Sequence, residues 1–127
     1  MPLVLIRDTH PRPRAKIRAA LRATHHAIAA ALEVPPGSVW LRYEPGKPDH
    51  YWEGETGESE GKPVLVFVTL ARGRPERKVR PLFGAISSAI AGAFALDPMN
   101  VWVRIDEVSP ERVGQGASSY AELRKRR

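Results

Sequence analysis

Residues 38–44, "SVWLRYE", decide the fold, because residues 100–106 repeat almost the same stretch as "NVWVRID". The shift that carries Trp40 onto Trp102 also aligns much of the remaining chain, and a shift shorter by one residue pairs Pro2 with Pro63. Self-similarity of this kind indicates a tandem duplication. The aligned pairs include Pro13 with Pro75, Ile17 with Val79, Leu21 with Phe83, Ile28 with Ile90, Leu32 with Phe94, and Pro36 with Pro98.

Each unit predicts a β-α-β arrangement. A short apolar run, "LVLI" at 3–6 or "VLVFV" at 64–68, has the β-branched composition of a buried strand. A proline-containing loop follows, and then an apolar stripe at helical spacing. The tryptophan-containing strand closes the unit, parallel to the first strand. Pro81 interrupts the second helical pattern, so we expect a kink there or a later helix start.

These patterns divide one domain, residues 1–127, into four parts. They are a first unit (2–44), a connecting loop (45–62), a second unit (63–106) and a C-terminal hairpin and tail (107–127). The connecting loop predicts a short hairpin around His50–Trp52. We expect Tyr51 and Trp52 to pack this loop onto the sheet; the alternative is a lid over a site.

The predicted fold class is α/β (α+β): a four-stranded mixed sheet with two helices on one face. Alternation along the strands places Trp40 and Arg42, like Trp102 and Arg104, opposite the residues that face the helices. Two helices cover one face of such a sheet. The Trp/Arg face therefore needs another cover, and a neighbouring subunit is the simplest one.

Composition narrows the function classes. The 127 residues contain no cysteine, which excludes disulfides and thiolate catalysis, and cytoplasmic location is the default expectation. No apolar run is long enough to cross a bilayer, and we identify no secretory signal. The net charge is +6, and arginine is much commoner than lysine. This bias fits a solvated surface, an anion site or a nucleic-acid surface. We interpret the tail, "RKRR" at 124–127, as a solvated end.

With these features in view, the sequence resembles the tautomerase superfamily, whose members are similar to 4-oxalocrotonate tautomerase (4-OT) or to tandem fusions of its β-α-β unit. The resemblance rests on Pro2 after Met1, on the duplicated unit, and on "VWVRIDEVSPERVGQG" at 101–116. Arg72 and Arg74 resemble the arginine pair of malonate semialdehyde decarboxylase and the 3-chloroacrylic acid dehalogenases. The resemblance to the superfamily implies a tautomerase (MIF-like) fold, a homotrimer, and activity without metal or cofactor.

The resemblance also implies site residues. Once Met1 is removed, Pro2 carries a free secondary amine, which an apolar wall and nearby cations would keep neutral and able to act as general base and then acid. Arg72 and Arg74 would hold a small anionic carboxylate substrate. Arg12, in the equivalent loop of the first unit, and Trp40, Trp102 and Arg104 are secondary substrate-binding candidates.

The sequence departs from the specialised relatives. Trp40 and Trp102 stand where short members use an arginine, and Arg104 where one dehalogenase type has a tyrosine. Ser38 is the nearest residue to the decarboxylase aspartate, and the tail "VGQG" at 113–116 lacks a carboxylate to activate water. His25 and His26 fall near a dehalogenase helix histidine, and we expect at least one on the surface.

We therefore expect a cofactor-independent tautomerase acting on a small 2-oxo or enol carboxylate. The alternatives are a decarboxylase or hydratase/dehalogenase of a three-carbon acid such as malonate semialdehyde, and a non-catalytic trimeric binding protein. A nucleic-acid partner is not expected, because no helix-turn-helix, RNA-binding sheet signature or zinc site is present, and Arg14, Arg18 and Arg22 fit a solvated helix face. We expect no membrane partner.

Overall fold

The structure, a computed structural model, describes residues 2–126. Its order is β1 (Leu3–Asp8), α1 (Arg14–Leu32), β2 (Trp40–Glu44), β3 (Val64–Ala71), α2 (Glu76–Val79), α3 (Pro81–Phe94), β4 (Val101–Val108), β5 (Gly114–Gln115), β6 (Ser118–Ser119) and α4 (Tyr120–Lys125), with 3₁₀ turns at Pro36–Ser38, Pro48–His50 and Pro98–Asn100. Met1, whose removal we expect, and Arg127, part of the predicted tail, lie outside the described residues.

The four long strands form one mixed sheet in the order β2-β1-β3-β4. Strands β1 and β2 pair in parallel, as do β3 and β4, while β1 and β3 pair antiparallel at the centre. The predicted fold class and the parallel pairing within each unit are confirmed. Helices α1 and α3 pack side by side on one face of this sheet.

The core lies between the helices and the sheet because alternate residues of the central strands are apolar and face inward. On β1 these include Val4 and Ile6, and on β3 they include Val64, Val66, Val68 and Leu70, all fully buried. Ile28 of α1 and Ile90 of α3 complete the layer with no exposed surface. Each buried aliphatic side chain of this size contributes roughly 1.5–3 kcal/mol relative to exposure.

The opposite face of the sheet has no covering element within residues 2–126. Leu3, Trp40 and Trp102 are 42%, 47% and 49% exposed there. The Phe67 ring lies between Arg7, whose guanidinium carbon is 4.8 Å from the ring centroid, and Trp102, whose ring centroid is 5.3 Å away. The predicted division into a helix-covered face and a Trp/Arg face is therefore confirmed.

Pro81 acts as expected at a break rather than inside a helix. Helix α2 ends at Val79, Arg80 joins the two segments, and Pro81 occupies the first position of α3. Proline is tolerated at this position because its missing amide would have no intrahelical partner there.

Two predictions for other segments are wrong. The loop has no hairpin around His50–Trp52; a 3₁₀ turn at Pro48–His50 stands there instead. Trp52 does not pack onto the sheet either, because it is 71% exposed and its indole donates locally to the Gly54 carbonyl. The tail continues as a helix, α4, up to Lys125, and Arg124, Lys125 and Arg126 are all exposed, so the predicted solvation of these residues is confirmed.

Among residues 2–126, no helix combines the length and apolar character needed to span a membrane.

Candidate active site

A cavity of about 190 Å³ opens at the sheet edge where β1 and β2 begin and β3 ends. The turn after α1, the loop after β3, and the C-terminal hairpin with α4 form its walls. Its lining residues are Val34, Pro35, Gly37, Ser38, Trp40, Arg74, Gln115, Tyr120, Leu123 and Arg124. A volume below the roughly 300–1,000 Å³ of drug-sized sites suits a small ligand.

Pro2 lies at the same edge of the sheet but is not among the residues that line the cavity. Its carbonyl oxygen accepts a 3.0 Å hydrogen bond from the backbone N–H of Trp40, a lining residue. Its side chain is fully buried. Because Leu3 pairs with Trp40 on one side and with Thr69 on the other, Pro2 precedes β1 between the start of β2 and the end of β3. The loop carrying Arg72 and Arg74 follows β3 at this edge.

Arg74 is the one member of the predicted arginine pair that lines the cavity. Its Nη1 donates to the Ala71 carbonyl at 3.3 Å. Burial and the neighbouring Arg124 guanidinium lower the pKa of Arg74, and Glu107 opposes this shift. Burial and a neighbouring positive charge both disfavour the charged guanidinium of Arg74, and a bound anion would offset these two effects.

Arg72 takes a different position. Its side chain is exposed and is not among the lining residues. Its backbone holds the loop in place: the N–H donates to the Val108 carbonyl at 2.7 Å, and the carbonyl accepts from Arg124 Nη1 at 3.1 Å. Of the two predicted arginines, the single chain brings only Arg74 to the cavity.

Arg124 and Tyr120 are lining residues that we did not predict, because we interpreted the tail from its charge alone. A capping box begins helix α4. Ser119 Oγ accepts a hydrogen bond from the Glu122 N–H, and the Glu122 carboxylate accepts one from the Ser119 N–H. The spacing of serine and glutamate three residues apart is a helix-start signature that could have revealed α4.

Uncharged polar side chains complete the lining of the cavity. Burial raises the pKa of Tyr120, so its hydroxyl stays protonated at neutral pH. Ser38 lines the cavity and donates its hydroxyl to the Pro35 carbonyl at 2.7 Å. No carboxylate of residues 2–126 is among the lining side chains.

Arg12 lies at the other end of β1 and does not reach this cavity. Its guanidinium forms a buried ion pair with Asp8, with an Nη2–Oδ1 distance of 3.0 Å, and stacks 4.8 Å above the Phe94 ring. Tyr43 donates its hydroxyl to the same carboxylate. Pro63, the repeat partner of Pro2, accepts from Thr9 Oγ1 at 2.7 Å. The Arg12 guanidinium is thus already paired with a carboxylate of the same chain, Asp8.

Trp102 and Arg104 also lie away from the cavity. Both project from β4 on the uncovered sheet face, where Arg104 pairs with Asp106 at 3.2 Å. In the single chain, Trp40 and Arg74 are therefore the predicted site residues that line one cavity, with Pro2 adjacent. Neither helix histidine lines it; His26 is exposed, and His25 contacts the Pro36 carbonyl at 2.7 Å.

The cavity combines two guanidinium groups, a protonated phenol and an apolar wall. Neither Arg74 nor Arg124 forms an ion pair with a carboxylate within residues 2–126. Guanidinium groups bind carboxylates with paired, charge-assisted hydrogen bonds. The arrangement can hold a small carboxylate beside Pro2. The described residues contain no cluster of three or more histidine, aspartate or glutamate side chains suited to a metal ion.

Solved structures with this architecture include a fused 4-OT that is an asymmetric trimer, with a TM-score of 0.86, 16% identity, and coverage of 95% of this chain and 98% of that chain. Malonate semialdehyde decarboxylase has a TM-score of 0.77, 22% identity and 98% coverage of both chains. The macrophage migration inhibitory factor of Toxoplasma gondii has a TM-score of 0.70 at 18% identity, covering 92% of this chain and 98% of that chain.

No protein-family model matches the sequence, and no curated protein matches it significantly. At these identities the likeness establishes the fold, which is the predicted tautomerase (MIF-like) fold over nearly the whole chain.

Proposed function

We propose that this chain is a member of the tautomerase superfamily and a cofactor-independent isomerase of a small 2-oxo or enol carboxylate. In this proposal Met1 is removed, and the free nitrogen of Pro2 is the general base and acid. The observation that carries it is the position of Pro2: buried, and hydrogen-bonded to Trp40, whose side chain lines a cavity that also holds Arg74.

The proposed reaction transfers one proton between oxygen and carbon. The neutral Pro2 nitrogen takes the proton of an enol hydroxyl, the electron pair moves through the enolate, and the protonated nitrogen returns the proton to the adjacent carbon. The charge that develops on the enolate and the fixed charge of the carboxylate are both stabilised by guanidinium groups. Every atom of the substrate is retained, so the step needs no metal or cofactor.

We further propose that three copies assemble into a homotrimer through the Trp/Arg face. Exposed Trp40, Trp102 and Leu3 form an apolar surface on a sheet face without a cover in the described chain, and burial of this surface favours association. The fused 4-OT with this fold is a trimer. Arg72 and Arg104, which lie outside the cavity of the single chain, stay predicted substrate contacts only in such an assembly.

Decarboxylation of a three-carbon acid such as malonate semialdehyde is the alternative function. It is supported by the Arg72-Gly73-Arg74 loop and by a malonate semialdehyde decarboxylase of the same fold. A protonated Pro2 would polarise the carbonyl in that reaction. Hydration or dehalogenation is less well supported, because no carboxylate among residues 2–126 lines the cavity to activate water.

The test is a pair of assays on the wild type, Pro2→Ala and Pro63→Ala. We expect the wild type to accelerate ketonisation of phenylenolpyruvate, measured by ultraviolet absorbance, and Pro2→Ala to be slower by about 10²–10⁴-fold. Pro63→Ala, which changes the repeat partner with its ordinary amide nitrogen, should retain activity. Carbon dioxide release from malonate semialdehyde without ketonisation would establish the alternative, and a folded trimer inactive in both assays would indicate a binding protein.

A further inference from the structure

Two arginines from distant parts of the sequence meet in the cavity beside Pro2. Arg74 comes from the loop after β3, and Arg124 comes from α4 at the end of the chain. Arg124 also lowers the pKa of Arg74, which indicates that the two charges interact. Glu107 offsets part of this positive charge, but no carboxylate of residues 2–126 lines the cavity, so the two guanidinium groups are suited to binding an anion.

Arg124 is exposed, and its contacts with the loop after β3 orient its guanidinium. Its Nη1 donates to the Arg72 carbonyl at 3.1 Å, and Gly73 lies directly below, where even a single added carbon would come 3.2 Å from that nitrogen. Helix α4 is held by the Ser119–Glu122 capping box and by Tyr120, which is buried. The guanidinium is therefore oriented before a ligand arrives, which lowers the entropic cost of binding.

We propose that Arg124 and Arg74 jointly bind the substrate carboxylate, and that Arg124 rather than Arg72 is the second arginine that the chain supplies to its own cavity. Each guanidinium donates to one backbone carbonyl within residues 2–126, so further N–H groups remain available to both carboxylate oxygens. This inference rests on the proposed function for the identity of the reaction, but the binding step can be tested separately.

The other residues that line the cavity indicate the substrate class. Val34, Pro35, Trp40 and Leu123 supply apolar surface, and residues 2–126 contribute no lining cation other than the two arginines. Ser38, Gln115 and Tyr120 add neutral polar groups, so a second carboxylate would have no counter-charge among the lining residues, which is unfavourable. The site fits a small 2-oxo monocarboxylate with an apolar or aromatic substituent, rather than a dicarboxylate.

The experiment measures binding of benzoylformate by isothermal titration calorimetry. This aromatic 2-oxo acid has no enolisable hydrogen, so binding is measured without turnover. We expect Arg124→Gln to raise its Kd by about tenfold or more, as for the loss of a charge-assisted hydrogen bond. Arg126→Gln removes an equal charge two residues further along the chain and should leave the Kd within about twofold. Arg72→Gln keeps the carbonyl that binds Arg124 and should weaken binding less than Arg124→Gln.

The outcomes separate the inference from the proposed function. A chain that binds benzoylformate through Arg124 but does not ketonise phenylenolpyruvate supports the inference and contradicts the function. Ketonisation with equal benzoylformate affinity in Arg124→Gln and the wild type would overturn the inference alone. Absence of benzoylformate binding in the wild type, equal weakening by Arg126→Gln, or tighter binding of phthalate, an aromatic dicarboxylate, would also overturn it.

Discussion

The backbone N–H of Trp40 donates a 3.0 Å hydrogen bond to the carbonyl oxygen of Pro2. This bond continues the parallel ladder of β1 and β2 and ties Pro2 to the strand whose first side chain lines the cavity. The bond involves only the carbonyl oxygen of Pro2, so the Pro2 nitrogen remains available for chemistry once Met1 is removed.

The other end of β1, near Pro63, the repeat partner of Pro2, contains a buried ion pair that we interpret as structural. Arg12 and Asp8 are paired with side-chain exposures of 7% and 0%. We expect Asp8→Asn to lower the free energy of unfolding by about 3–5 kcal/mol, because it leaves a buried guanidinium without its counter-charge. The control is Glu76→Gln, which breaks an exposed pair with Arg80 and should cost less than about 1 kcal/mol. Urea unfolding measures both; equal losses would contradict the assignment.

Tyr43 gives this cluster a pH dependence. Burial and the hydrogen bond to Asp8 raise its pKa above the ordinary value. A group whose pKa is raised on folding stabilises fully below its unfolded pKa of about 10 and loses that contribution as pH rises through the folded value. We expect Tyr43→Phe to be less stable than the wild type by about 1–3 kcal/mol at pH 8.

The difference between Tyr43→Phe and the wild type should shrink at pH 11, because ionisation of the unfolded tyrosine then opposes folding of the wild type alone. Unfolding curves at the two pH values measure it. A difference that stays constant or grows with pH would show that the Tyr43 hydroxyl does not couple to folding in this way.

Gly73 lies close to Arg124, and its backbone conformation favours glycine. Its φ of +133° is a conformation that residues with side chains rarely adopt, and an added Cβ would come 3.2 Å from Arg124 Nη1. We expect Gly73→Ala to cost about 1–3 kcal/mol of stability and to weaken benzoylformate binding. Gly84→Ala, in an open position of α3, should gain about 0.5–1 kcal/mol and leave binding unchanged. Unimpaired binding by Gly73→Ala would contradict this role.

The assembly can be tested through two tryptophans that differ in location. Trp102 lies on the Trp/Arg face of the sheet, whereas Trp52 lies in the connecting loop and is the more exposed of the two. If the sheet face is the interface, Trp102→Glu should shift the sedimentation equilibrium from trimer to monomer, because association would bury the new charge. Trp52→Glu should stay trimeric. Dissociation by Trp52→Glu but not by Trp102→Glu would place the interface elsewhere.

The sheet and its uncovered face could be predicted from the sequence, because the patterns that specify them repeat regularly. The duplicated unit and the alternation of Val and Trp specified the sheet and its uncovered face, because burial of alternate residues leaves little freedom in strand register. Pairing across the fold could not be read this way. Nothing in the spacing shows that Arg12 is neutralised by Asp8 while Arg74 has no carboxylate partner among residues 2–126.

The tail shows the same limit. Charge alone predicts correctly that Arg124 is exposed, but not that it lies at the cavity. That position depends on two local features, the capping box at Ser119 and the carbonyl of Arg72. Trp52 shows the converse error, since an aromatic residue in a loop can stay exposed when its indole finds a backbone partner nearby.

The central claim is that the free nitrogen of Pro2 carries the chemistry, and the most direct test changes that nitrogen alone. Two preparations of the same chain, one beginning at Pro2 and one with Met1 retained, are verified by intact mass and compared in phenylenolpyruvate ketonisation. The account predicts activity in the first and a loss of at least about 10²-fold in the second, because the lone pair of an acylated proline nitrogen is delocalised into the amide and cannot act as a base. Treatment of the second with methionine aminopeptidase should restore activity. Equal rates in the two preparations would contradict the account.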